Sequence, residues 1–305
     1  MADTPDFLDW QSVLRRLAGD MPEVWADPNL EQLEGSIIRD TSASALGWMT
    51  QVWLRSRIAL KKRTEQSYDD VLDESEPAPV DVDDAVDRIV QAVEIGKKQA
   101  RHQDELPDKG PRVEVPEPPK DSYVPQPSLT RQPKPHATAE WIARQSAASK
   151  MREWEVGMRE DVRWQVVQGI RERISADELA KRLEKRWEIH GVKLQRIAVT
   201  EMSMAYNDAV LTLLSDRYVV IPVIGDAAVC GPCHRLLEGK VFWVSPVPIE
   251  NPTQQEYEQY VWAGKSNIGR SRGDWWPCVP LHPNCRHVYV KYRGGDPYEY
   301  RVKRR

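Results

Sequence analysis

The 305-residue sequence predicts an α+β fold, mostly helical, with a small β subdomain near the C-terminus. Three observations carry this expectation. Apolar residues recur at helical spacing as far as about residue 216, β-branched runs replace them from Tyr218 onward, and all four cysteines fall in the last quarter. The length suggests about two domains. Hydrophobic residues make up 40% and charged residues 30%, a balance that supports a core and excludes a fully disordered chain. The longest uninterrupted apolar run, Tyr218 to Ile224, contains a proline, whereas a membrane helix needs about 20 apolar residues. No membrane partner is therefore expected. The opening MADTPD lacks the basic and apolar regions of a secretory signal.

The net charge of −4 is unevenly spread. Residues 1 to 130 hold 15 Lys+Arg against 26 Asp+Glu, a net −11, and the remainder holds 28 against 21, a net +7. Such asymmetry points to different partners for the two halves.

Residues 1–103 read as a helical N-terminal region. Phe7, Trp10, Leu14 and Leu17 form one amphipathic stripe, Leu46, Met49, Trp53 and Leu60 a second, and Val86, Ile89, Val90 and Val93 a third. An acidic run from Asp69 to Asp84 separates the last two as a solvated connector. Residues 104–136 hold nine prolines, from Pro107 to Pro135, and few apolar residues. Proline removes a donor and fixes φ, so this stretch is expected to be a linker or an extended arm.

Residues 137–305 form the remaining domain, with helices over 139–216, a β region over 218–293 and a basic tail over 294–305. Met151, Trp154, Met158, Val162, Val166 and Ile170 keep a regular helical stripe. Ser175 and Glu178 have the spacing of a capping box that opens the next helix, lined by Leu179, Leu183 and Trp187, and Gly191 is expected to end it. A third helix is predicted from about Lys193 to Asp216. Glu201 shares its apolar face with Ile197, Ala198 and Ala205, as a carboxylate tied to a neighbouring loop or as a catalytic acid. Tyr218–Ile224, Lys240–Val244 and Val288–Tyr292 read as strands, 253–263 as a short helix, and 265–274 as a flexible basic loop.

The cysteines carry the chemistry. Cys230 and Cys233 form a C-x-x-C pair, and His282 and Cys285 an H-x-x-C pair. Two such pairs can place four soft donors around one ion, the closed Cys₃His geometry of structural zinc, Zn(2+). Cys230, Cys233, His282 and Cys285 are thus the expected ligands of a zinc-stapled β subdomain. Cys278 could replace His282 to give Cys₄, with His234 and His287 as adjacent spares. Two enzymatic alternatives share these residues. Cys230-Gly-Pro-Cys233 has the spelling of a thiol oxidoreductase centre, but Glu238-Gly239 would stop the long helix such a centre opens. A zinc-dependent nuclease would need a further histidine as base, and none is evident.

The order of motifs resembles the head-morphogenesis family of tailed phages, the Mu F-like minor capsid proteins. The matching residues are Ala198, Thr200, Glu201, Ala205, Tyr206 and Asn207 on a helix, then Asp226, Val229, Cys230, Cys233 and Gly239, and finally the run Pro280 to Arg286. The likeness covers roughly residues 150–290. Where that family continues C-R-C, this chain has His287, and it inserts about Pro246 to Trp276 between the two metal pairs. The resemblance implies a non-catalytic minor virion protein that acts in head assembly inside the head near the portal, and passes through the host cytoplasm during assembly. Portal and capsid proteins are the implied partners, and some members contact DNA. On this chain, phage DNA would meet Lys265, Arg270, Arg272, Arg301, Lys303, Arg304 and Arg305 in the basic half.

Overall fold

A computed structural model of the chain describes residues 28–62, 82–110, 135–172, 174–224, 230–249, 252–267 and 270–301. The elements are α1 (Pro28–Lys62), α2 (Asp83–Glu105), α3 (Pro135–Arg171), α4 (Ala176–Leu213), β1 (Tyr218–Val220), α5 (Gly231–Leu236), β2 (Val241–Val244), α6 (Gln254–Gln259), β3 (Tyr260–Val261) and β4 (Val290–Lys291). The structure is mostly helical with one small four-stranded sheet. Among the described residues no helix is long and apolar enough to cross a membrane. The Phe7–Leu17 stripe lies outside the described residues, as do Lys303, Arg304 and Arg305.

The chain divides into two compact units. The first gathers Gly35–Val86 and Ala148–Ile197. Its core uses the predicted stripes: Met151, Trp154, Met158, Val162 and Val166 on α3, Leu179, Leu183 and Trp187 on α4, and Leu46 and Met49 on α1 are all buried, joined by Leu194 on α4 and Ile37 on α1. Gly191 does not end a helix. The stripe Leu183, Trp187, Leu194 continues across it, and burying that face outweighs the ~1 kcal/mol that an internal glycine costs. Few polar groups punctuate this core. The Trp154 indole donates to the carbonyl of His190 at 2.9 Å, and His190 Nε2 lies 3.1 Å from Asp161 Oδ2.

The second unit gathers Pro22–Glu34, Asp87–Ala147 and Ala198–Arg305. Helix α2 approaches α4 so closely at Gly96 that a Cβ there would sit 2.5 Å from the Tyr206 carbonyl oxygen. The sheet runs β3-β2-β1-β4. β1 pairs antiparallel with β2, Val219 opposite Phe242, and with β4, Val220 opposite Val290, while β3 joins β2 in parallel. Tyr218 and Val220 share one face with Tyr292 and Tyr300. The strands are shorter than the β-branched runs that predicted them; Pro222 cannot donate to a ladder and closes β1 early.

The predicted linker is partly structured. Residues 104 and 105 complete α2, and 106–110 follow β4: Lys109 donates its backbone N–H to Arg293 O at 2.7 Å, and the Arg293 guanidinium donates to Pro107 O at 3.0 Å. Lys291 is bound from the same side, its amide by the Gln103 side chain at 2.8 Å and its ammonium by Asp104 at 2.6 Å. These contacts satisfy backbone groups that prolines cannot satisfy among themselves. Residues 111–134 lie outside the described residues, and α3 begins at Pro135.

Candidate metal centre

Cys230 precedes the short helix α5, which sets Cys233 less than one turn away. The second donor pair sits in a tight turn. Asn284 adopts φ 67°, a left-handed conformation that asparagine tolerates better than most residues, and Cys285 donates its amide to His282 O at 3.1 Å. This turn gives His282 and Cys285 a common direction.

Helix α4 holds that turn in place. Thr200 Oγ1 accepts the amide of Asn284 at 3.2 Å. Asn207, fully buried, works as a surrogate peptide: its Nδ2 donates to His287 O at 3.3 Å and its Oδ1 accepts the amide of Tyr289 at 2.9 Å. The Thr200 motif position therefore meets the His282–Cys285 segment in space, and the Asn207 position meets the 287–289 backbone that follows it. Glu201 is buried on the same helix.

Five donors converge. His282 Nε2 lies 3.1 Å from the sulfurs of both Cys230 and Cys233, Cys233 Sγ lies 4.0 Å from Cys285 Sγ, and Cys285 Sγ lies 3.5 Å from His287 Nδ1. The donors form two trios that share Cys233: Cys230, Cys233 and His282, and Cys233, Cys285 and His287. Around a tetrahedral ion with ~2.3 Å bonds to sulfur and ~2.0–2.1 Å bonds to nitrogen, adjacent donors stand about 3.5–3.8 Å apart. Within each trio the separations of 3.1–4.0 Å bracket that range, while the expected set of Cys230, Cys233, His282 and Cys285 is not brought together as four mutually close donors. Cys230, Cys233, His282, Cys285 and His287 are placed to bind a metal ion. Three thiols and two imidazoles suit a soft or borderline metal rather than calcium or magnesium.

Both histidines have the outer partners expected of ligands. His282 Nδ1 lies 2.6 Å from Pro283 O, which leaves Nε2 for the ion, and His287 Nε2 lies 3.4 Å from Glu238 Oε1, which leaves Nδ1. Glu238 also faces His234 Nδ1 at 2.8 Å and accepts the amide of Ile224 at 2.9 Å. Burial would raise this carboxyl, but His287, His234 and the Ile224 amide outweigh it and hold it down to about 2. Burial would lower His287, yet Cys285 and Glu238 raise it to about 9. Cys285 is pulled well below the ordinary thiol value, against its burial, by hydrogen bonds with Cys233 and His287. Cys233 is pushed up by Cys285 and by burial.

Cys278 is not part of the cluster. It is fully buried, accepts from Asn267 Nδ2 at 3.2 Å and faces Pro280 O at 3.6 Å, and burial pushes its thiol up to about 12. It belongs to neither donor trio. His287 and Glu238 are the contributors that spacing alone undervalued; the faint signal was an imidazole two residues past a metal-type cysteine.

The basic loop is also reassigned in part. Lys265 is buried, its ammonium donating to Tyr257 O at 2.6 Å and Tyr260 O at 2.7 Å beneath the Trp262 ring, so it closes the end of α6 rather than facing solvent. The Arg270 guanidinium lies 3.1 Å from the centre of the Trp276 ring, which stacks on Tyr257. Arg270, Arg272 and Arg301 are exposed.

No family model, curated protein or solved structure matches the chain.

Proposed function

We propose that this chain is a minor head protein of a tailed phage, an interaction protein that acts in head assembly near the portal, with a structural zinc ion in its C-terminal region. The observation that carries the proposal is the motif order itself. A helix bearing Thr200 and Asn207, a C-x-x-C pair and the run Pro280 to Arg286 resemble the head-morphogenesis family, and in the fold these same residues support one donor cluster. Zinc is the proposed ion because a buried, thiol-rich donor set closed by imidazole is its usual structural environment. A small sheet with strands of two to four residues has little core of its own, so an ion that ties Cys230 to Cys285 would contribute much of its stability. The alternative of thiol redox chemistry at Cys230 and Cys233 draws no support from α5, which is only six residues long. DNA contact would rest on Arg270, Arg272, Arg301 and the tail, with Lys265 engaged internally.

The test is localisation together with composition. Purified virions should contain the chain in a few copies at the portal vertex, and the isolated protein should carry one zinc ion and no catalytic thiol turnover. A chain absent from virions and from portal-containing assembly intermediates overturns the head-protein reading. A readily cycled Cys230–Cys233 disulfide with no bound zinc favours the oxidoreductase.

A further inference from the structure

Arg286 stands between two of the donors, Cys285 and His287, but turns away from them. Its Nη2 donates to Glu34 Oε1 at 2.8 Å and its Nε to Glu34 Oε2 at 3.4 Å, with both side chains almost completely buried. The partners are 252 residues apart in sequence. Glu34 belongs to the first turns of α1, whose Leu30 and Leu33 are also buried.

We infer that metal occupancy controls the docking of residues 28–34, through the Arg286–Glu34 pair. The inference rests on the metal part of the reading above. A buried ion pair is tolerable only while its geometry is good, because each charge has lost its water. Here the position of Arg286 is set by its neighbours. With an ion bound, Cys285 and His287 are fixed on one side, and the guanidinium is presented squarely to Glu34. When the ion leaves, the 282–287 segment keeps only its contacts to Thr200 and Asn207, it loosens between them, and the pair loses its alignment. The least costly response is to hydrate both charges by releasing the start of α1. The same linkage runs backwards: a docked Glu34 holds Arg286, and so holds the two flanking ligands ready for the ion. The C-terminal centre would thus set whether the N-terminal end of α1 is packed or available.

The experiment measures amide hydrogen exchange of residues 28–34 in the full chain, with zinc bound and after chelation, alongside zinc affinity. Removing zinc should speed exchange at 28–34 by about 5- to 150-fold, the usual range of coupling between sites, and leave 148–197 unchanged. Glu34→Gln should exchange fast at 28–34 with or without zinc, and should weaken zinc binding by the same factor. Because removing the Glu34 charge beside the buried Arg286 could prevent folding of that variant, Glu34→Asp is tested beside it. It keeps both charges with a shorter reach and should show the same two effects at smaller size. Protection of 28–34 that survives zinc removal, or wild-type zinc affinity in a folded Glu34 variant, overturns the coupling and leaves the staple intact. A chain that binds no zinc at all overturns both.

Discussion

The two units are built by different kinds of specification. In the unit of Gly35–Val86 and Ala148–Ile197, position is fixed by apolar stripes repeated over many turns, so no single residue is decisive. In the other unit the chain from Cys230 to Tyr300 has short strands and tight turns, and position is fixed by single polar contacts: Asn207 to the 287–289 backbone, Glu34 to Arg286, Gln103 to Lys291, and those among five donors placed to bind a metal ion. Distributed packing should fail gradually and locally. Point contacts around an ion should fail together.

The sharpest way to break the comparison is to remove the ligand common to both donor trios. Cys233→Ser should lose the metal entirely, and with it a contribution on the order of 10–16 kcal/mol in small zinc-binding peptides, enough to unfold the sheet region from about residue 218 to 301. Elemental analysis should find no zinc, exchange should become fast across that region, and 148–197 should stay protected. Cys278→Ser should retain the ion, since its thiol is engaged with Asn267. Metal loss from the Cys278 variant would mean that the donor assignment is wrong.

A cavity in the striped unit tests the other half. Leu183 is 1% exposed, and Leu183→Ala should cost about 2–5 kcal/mol while zinc content stays at wild type. Loss of zinc from this variant would show that the units do not fail independently.

Asn207→Leu probes a point contact of nearly equal size. It leaves His287 O and Tyr289 N–H buried without their side-chain partner, at roughly 1–3 kcal/mol each, so a loss of about 2–6 kcal/mol is expected in denaturant unfolding. Zinc affinity should fall as well, because His287 lies within the clamped segment. A stability loss with unchanged affinity would show that the clamp does not position the ligand.

What was legible in the sequence follows the same division. The stripes of α3 and α4 were readable because burial repeats with the helical period, and the cysteine pairs because two donors two residues apart in one tight turn leave a short, recognisable spacing. Gly191 misled because one glycine is a weak break against a long apolar face. Lys265 misled because a basic residue among Gly, Ser and Arg resembles a solvated loop, whereas two carbonyls and the face of Trp262 hold it inside. Glu34, Gln103 and Asn267 could not have been found. Each meets its partner through one hydrogen-bonding group, over a separation that leaves no pattern, and Thr200 and Asn207 stood out only through the resemblance.

The striped unit should respond to acid through one residue. His190 is buried, and burial lowers its affinity for a proton more than the neighbouring Asp161 raises it, with Lys193 and Arg186 adding to the decrease. The unfolded chain then binds the extra proton more readily between the folded value and the ordinary value near 6.5. Stability from this group is complete above pH 6.5 and declines as the pH falls through that window. Thermal unfolding followed between about pH 5 and 8 should show the decline in wild type and a flatter profile in His190→Gln. Equal slopes would place the acid sensitivity elsewhere.

The smallest expected effect concerns the start of α4, where the sequence pattern was a capping box. One half of it is present: Ser175 Oγ accepts the amide of Glu178 at 3.1 Å. The Glu178 carboxylate faces Arg182 at 3.7 Å, one turn further along the helix, and Arg182 is also paired with Glu172 at 2.8 Å. Ser175→Ala should therefore cost about 1 kcal/mol, the usual value of an N-cap. Glu178→Ala should cost less, since an exposed pair at this spacing contributes only ~0.3–0.5 kcal/mol. If the box closed in solution, with the Glu178 side chain turned back to the Ser175 amide, the two losses would be similar and strongly non-additive in the double variant. Additive losses, with the serine dominant, are the expected result, and they would place this helix start among the distributed contacts of the striped unit rather than among the point contacts around the metal centre.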